Sequence, residues 1–132
     1  MNTKFLMTTS ASILAAAGII LTFMPDEILT YHHLEVSEPL LIFTQMLGAL
    51  YFAFGMLNWM SKANLIGGIY NRPIAVANFT HFFVAGLALL KRLTAGSGMS
   101  YLLWIVTGTY FFFAVVFGLL LFRHPIPENK SA

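Results

Sequence analysis

Four stretches of this chain contain no Lys, Arg, Asp or Glu: Phe5 to Pro25, Pro39 to Ser61, Pro73 to Leu90 and Leu93 to Phe122. A helix needs about 20 apolar residues, each rising ~1.5 Å, to cross a bilayer's hydrocarbon core. All four runs approach or exceed that length. The last is the longest, and Ala95-Gly96-Ser97-Gly98 within it reads as a turn that leaves a span from Ser100. Unpaired backbone N–H and C=O groups are too costly in hydrocarbon, so each run is expected to be helical. The spans fall at about residues 4–25, 39–61, 73–94 and 100–122, with an outer loop 26–38 and an inner loop 62–72. The expected fold is all-α: one integral membrane domain over residues 1–132, built as a four-helix bundle.

Composition agrees. Apolar residues make up 58% of the chain and charged residues 9%, whereas a water-soluble domain is about one-quarter charged. So few charges exclude a soluble enzyme and a disordered tail. The absence of cysteine rules out a disulfide scaffold and a thiolate zinc site. Seven basic residues scattered singly form no stripe for nucleic acid.

The first span has a rival reading as a signal peptide, because Lys4 precedes an apolar stretch containing Ala15-Ala16-Ala17. The run continues through Gly18-Ile19-Ile20-Leu21, longer than a typical signal core, so a retained helix is expected. Ser37-Glu38-Pro39 has the features of a helix start: a capping residue, an acid at the positive dipole end and a proline in the first turn. Asn71-Arg72-Pro73 reads as another. Residues 63–70 contain Gly67-Gly68 and read as an interfacial loop, and His124-Pro125-Ile126-Pro127 cannot continue a helix. Tyr31, Trp59, Tyr70 and Tyr101 sit near span ends, where amphipathic rings anchor in the interface.

Orientation follows from the basic residues. Lys4, Lys62, Arg72, Arg123 and Lys130 share one side, against Lys91 and Arg92 on the other. Five against two favours an arrangement with both termini in the cytoplasm.

Stepping about 100° per residue gives each span a face of small and polar residues. These faces are Thr8, Ala11, Ser12, Ala15, Gly18 and Thr22; then Thr44, Gly48, Tyr51, Gly55 and Asn58. In the later spans they are Ala77, Asn78, His81, Ala85 and Ala88; then Trp104, Thr107, Tyr110, Ala114 and Gly118. Small residues let helices approach in lipid, so these faces are expected to meet, with bulky sides such as Phe111-Phe112-Phe113 facing lipid or filling gaps. Gly48 to Phe52 and Gly108 to Phe111 share a loose pattern that suggests a duplicated helix pair.

His81 is the only imidazole inside a span, nine residues after Arg72 and so ~13 Å into the membrane. Asn78 lies one turn earlier on the same face. Tyr51 and Tyr110 lie about 18 and 15 Å from the outer ends of their spans. With Thr107 and Ser12 nearby, these residues are expected at one depth. Polar groups in mid-membrane mark candidate sites. One reading is a pocket for the polar head of an apolar molecule such as a quinone, a sterol-like compound or a lipid. A second has the same groups bonding one another or a carbonyl to fix helix register, and a third is proton transfer. A single mid-span histidine does not hold a bis-histidine haem within one chain.

The outer loop from Asp26 to Glu35 carries His32, His33 and several carboxylates. His32 and Glu35, three apart, would share a helical face, but no further ligand scaffold is evident, so no metal site is assigned. A solvated acidic loop with a short surface helix over Ile28, Leu29 and Leu34 is expected instead. No nucleophile elbow, phosphate loop or pair of catalytic carboxylates occurs in the spans, so no catalytic residue is assigned.

The four-span layout, the segment Leu47-Gly48-Ala49-Leu50-Tyr51-Phe52-Ala53-Phe54-Gly55-Met56-Leu57-Asn58-Trp59 and the segment Asn71-Arg72-Pro73-Ile74-Ala75-Val76-Ala77-Asn78-Phe79-Thr80-His81 resemble small DoxX-like bacterial membrane proteins. The resemblance implies a multi-pass protein of the bacterial inner membrane. Association of some DoxX-like proteins with quinone-linked oxidoreductases makes a quinone the cofactor to consider, although the chain lacks cysteines for redox relay.

The expected function is a non-enzymatic module that binds an apolar ligand (lipid or quinone-like) or a membrane partner through the bundle interior. His81, Asn78, Tyr51, Tyr110 and Thr107 are the ligand-binding candidates. The alternatives are a membrane subunit of a quinone-linked oxidoreductase and a homo-oligomeric transporter or channel. The partners considered are the bilayer, an apolar small molecule, a second copy of the chain or another membrane protein.

Overall fold

The computed structural model describes residues 3–63, 71–95 and 101–122. They form five helices: α1 (Thr3–Phe23), α2 (Pro25–Tyr31), α3 (Glu38–Ser61), α4 (Arg72–Ala95) and α5 (Tyr101–Phe122). Among the described residues there is no strand. All but α2 are long and apolar enough to cross a membrane, and their limits follow the expected spans closely. The expected turns over residues 64–70 and 96–98, and the tail from His124, lie outside the described residues.

The chain divides into two compact units, Met1–Asn64 and Leu65–Ala132. In the first, α1 and α3 pack antiparallel through small residues. A Cβ built on Gly18 would lie 2.8 Å from the Gly48 carbonyl oxygen, and one on Gly55 would lie 2.8 Å from the Ala15 backbone nitrogen. Only glycine permits such backbone approach, the kind of contact through which apolar helices associate in lipid. Gly48 and Gly55 on α3 are buried as expected, and α1 meets them with Ala15, Gly18 and Thr22. Ser12 departs from its expected place: it is exposed and donates to the Thr8 carbonyl of its own helix at 2.9 Å.

Pro25 ends α1 and opens α2, whose first turn carries Asp26 and Glu27 at the positive dipole end. Leu29 is buried, whereas Leu34 is exposed. The Leu34 N–H reaches the Leu29 carbonyl at 2.9 Å and the His33 N–H reaches that of Thr30 at 3.0 Å, which is the Schellman arrangement. His33 takes the left-handed conformation there, at φ 55°. The helix therefore stops at Tyr31, and His32 and Glu35 do not share a helical face as the spacing suggested. Ser37 occupies the position before α3 with extended backbone, but its hydroxyl makes no capping bond; its carbonyl accepts the Leu41 N–H at 3.0 Å. At the other end of α3 the Lys62 ammonium lies 3.0 Å from the centre of the Trp59 ring, a cation–π contact.

The second unit packs differently. Here α4 and α5 run antiparallel and meet through aromatic rings, with Phe82 stacked on Phe113 at 4.9 Å and on Phe117 at 5.8 Å. The buried face of α4 is Ala75, Asn78, Phe82, Gly86 and Leu93, turned by roughly 100° from the expected stripe. Large rings interdigitate at this interface, so the small-residue rule that marks α3 does not mark α4. Ala88 and Trp104 are accordingly exposed, while Phe113 is buried. Gly108 has open space around it, unlike Gly48, so the two halves of the suspected duplication are not structurally equivalent.

Candidate functional site

The α4–α5 unit places His81 and Tyr110 together, with ring centroids 5.7 Å apart and planes tilted by 46°. Phe82 completes the group, edge-on to His81 at 5.1 Å and edge-on to Tyr110 at 5.4 Å. Phe82 and Tyr110 are buried; His81 is half-buried. An imidazole therefore lies mid-helix against two buried aromatic rings, with its Nε2 atom enclosed by protein. Its nitrogens can donate or accept a hydrogen bond.

The other candidates are distributed more widely. Asn78 is fully buried, and its amide donates to the Ile74 carbonyl at 3.0 Å, one turn back along α4. The Thr107 hydroxyl donates to the Leu103 carbonyl at 2.7 Å in the same manner. Both are back-bonds within a single helix, the usual way for such groups to remain satisfied in an apolar setting. Because the two helices run in opposite directions, Asn78 and Thr107 lie on opposite sides of the His81–Tyr110 level, about 9 Å apart along the helix axes. Tyr51 belongs to α3 in the other unit and is half-buried.

One polar pairing was not evident beforehand. Within the first unit the Asn58 amide of α3 donates to Ser10 Oγ of α1 at 3.1 Å, and both residues are fully buried. The Ser10 hydroxyl donates in turn to the Met7 carbonyl at 3.1 Å. Asn58 was on the expected face; Ser10 was not. The available signal was that an asparagine within a span needs a partner, and the first half of the first span offers four hydroxyls, Thr8, Thr9, Ser10 and Ser12, to supply one.

Between Arg72 and Phe122 the sequence has no Asp or Glu to orient His81 as a base. Among the described residues no group of three or more His, Cys, Asp or Glu side chains is arranged to hold a metal ion. The unit also carries an apolar groove on the side where Phe79 and Phe83 project, and His81 is not part of its lining. No family model, curated protein or solved structure matches the chain.

Proposed function

We propose that this chain is a multi-pass protein of the bacterial inner membrane, with both termini in the cytoplasm. It acts as a non-enzymatic module that binds an apolar molecule with a polar ring or head group, of the quinone or lipid class. Four helices of spanning length and apolar character support the membrane setting. The observation that carries the binding reading is the contact of His81 with Tyr110 and Phe82. Mid-membrane imidazoles are costly and concentrate where a ligand or partner uses them. Of the three rings only His81 is partly exposed, so it is the group a guest would meet, as hydrogen-bond donor or acceptor. The resemblance to DoxX-like proteins is consistent with a quinone.

The test is to purify the full chain in mild detergent and extract it with organic solvent. Bound quinones and lipids are then quantified by mass spectrometry. The wild type should retain a guest at stoichiometric level, His81→Ala should lose it, and Tyr110→Phe should weaken it. Equal retention by the wild type and His81→Ala would remove His81 from the site.

A further inference from the structure

The groove on the α4–α5 unit has a volume of about 270 Å³ and a lining that is almost wholly apolar, including Phe79, Phe83, Phe111, Val115, Leu119 and Phe122. Three observations indicate its occupant. From Phe111 to Phe122 the groove follows α5 for ~16 Å, close to the ~15 Å depth of one leaflet's hydrocarbon. At 100° per residue, Arg72 falls on the same face of α4 as Phe79 and Phe83, midway between them in angle. Because α4 and α5 are antiparallel, Arg72 stands at the Phe122 end of the groove. Arg72 is exposed and opens α4, where the helix dipole adds to its positive charge. At the far end Lys91 lies eight residues beyond Phe83, about as far along α4 as Arg72 lies before Phe79, but it falls roughly 100° off the groove face.

We propose that the groove holds an acyl chain of an anionic phospholipid from the cytoplasmic leaflet, with the phosphate paired to the Arg72 guanidinium. This rests on the chain being embedded in a bilayer, as proposed above. The site itself is separate: His81 lies on roughly the opposite side of α4 from Phe79 and Phe83. An apolar slot of leaflet depth, with a basic residue on its own face of α4 at one end only, matches a lipid's amphipathic profile. The guanidinium fork matches phosphate oxygens.

The full chain is reconstituted in phosphatidylcholine vesicles containing a trace of phosphatidylglycerol with a diazirine on its acyl chain, then irradiated and digested. Label is expected on the peptide from Phe111 to Phe122, about fivefold above that from phosphatidylcholine carrying the same tail, the preference one basic residue gives at an anionic surface. Arg72→Gln should lower the preference while leaving apolar labelling in place, Arg123 next to Phe122 keeping some positive charge in the chain at that end. Val115→Trp and Leu119→Trp, both at exposed positions, should each reduce labelling by either lipid, and His81→Ala should change neither.

An Arg72→Gln variant that kept the preference undiminished would overturn the proposal. So would cross-linking of this face to a second copy of the chain in place of lipid. Failure of the protein to float with the vesicles would instead overturn the membrane reading, an outcome distinct from the others.

Discussion

Gly18 and Gly48 oppose each other across the α1–α3 interface. A methyl added to Gly18 would lie 2.8 Å from the Gly48 carbonyl oxygen, and one added to Gly48 would lie 2.9 Å from that of Gly18. Neither obstacle is the end of a flexible side chain, so neither can rotate away. The two backbones could accept a side chain only by separating, which would also strain the contact between Gly55 and Ala15 one layer further along.

Gly48→Ala should therefore destabilise the first unit by about 1–3 kcal/mol, the usual cost of overpacking a close interface. Gly108→Ala is the control, since nothing lies within 4 Å of its added methyl. It should be neutral or stabilising by about 0.5–1 kcal/mol through helix propensity alone. Thermal unfolding of both variants in detergent would check the contrast, and equal losses would refute it.

Asn58 and Ser10 should be energetically coupled. Hydrogen bonds between membrane helices contribute about 0.6 kcal/mol on average and up to ~1.7, and both partners here are fully buried. A double-mutant cycle over Ser10→Ala and Asn58→Ala is expected to give a coupling within that range. Strict additivity would mean the bond contributes nothing.

His33 holds a backbone conformation that glycine adopts more readily, at φ 55°. His33→Gly should tighten the end of α2 by about 1 kcal/mol by relieving left-handed strain. The same change should slow hydrogen exchange at the Leu34 amide, which bonds to the Leu29 carbonyl. His33→Val, β-branched, should have the opposite effect on both measurements.

Phe82 stacks on Phe113 and Phe117. Phe→Ala truncations in water-soluble cores cost about 3–5 kcal/mol, in part because the ring leaves water when the protein folds. Between membrane helices that transfer term is absent and only packing remains. Phe82→Ala should therefore cost less than that range in reversible unfolding from mixed micelles. A loss at its upper end would indicate a ring sequestered from water rather than from lipid.

Helix positions and lengths were legible in the sequence, because the runs without charge have the length and apolar character of a span, and a backbone in such surroundings has no hydrogen-bond partner outside its own helix. The small-residue face of α3 was legible as well, since Gly48 and Gly55 have few other uses in a span. The inward face of α4 was not. In lipid, phenylalanine and alanine are both tolerated on the outside, so hydrophobicity does not distinguish the buried side, and the interdigitation of Phe82 with Phe113 and Phe117 set the rotation.

The partner of Asn58 was undetermined for a related reason. Thr8, Thr9, Ser10 and Ser12 all lie in the first half of their span and each donates to a carbonyl of its own helix, so any of the four could accept from an asparagine opposite. The register of α1 against α3, set by glycine contacts elsewhere along the interface, selected Ser10. Likewise the pairing of His81 with Tyr110, rather than with Thr107, follows from the antiparallel offset of α4 and α5. Solvent chemistry determined which segments are helices, and close packing decided which of their faces meet.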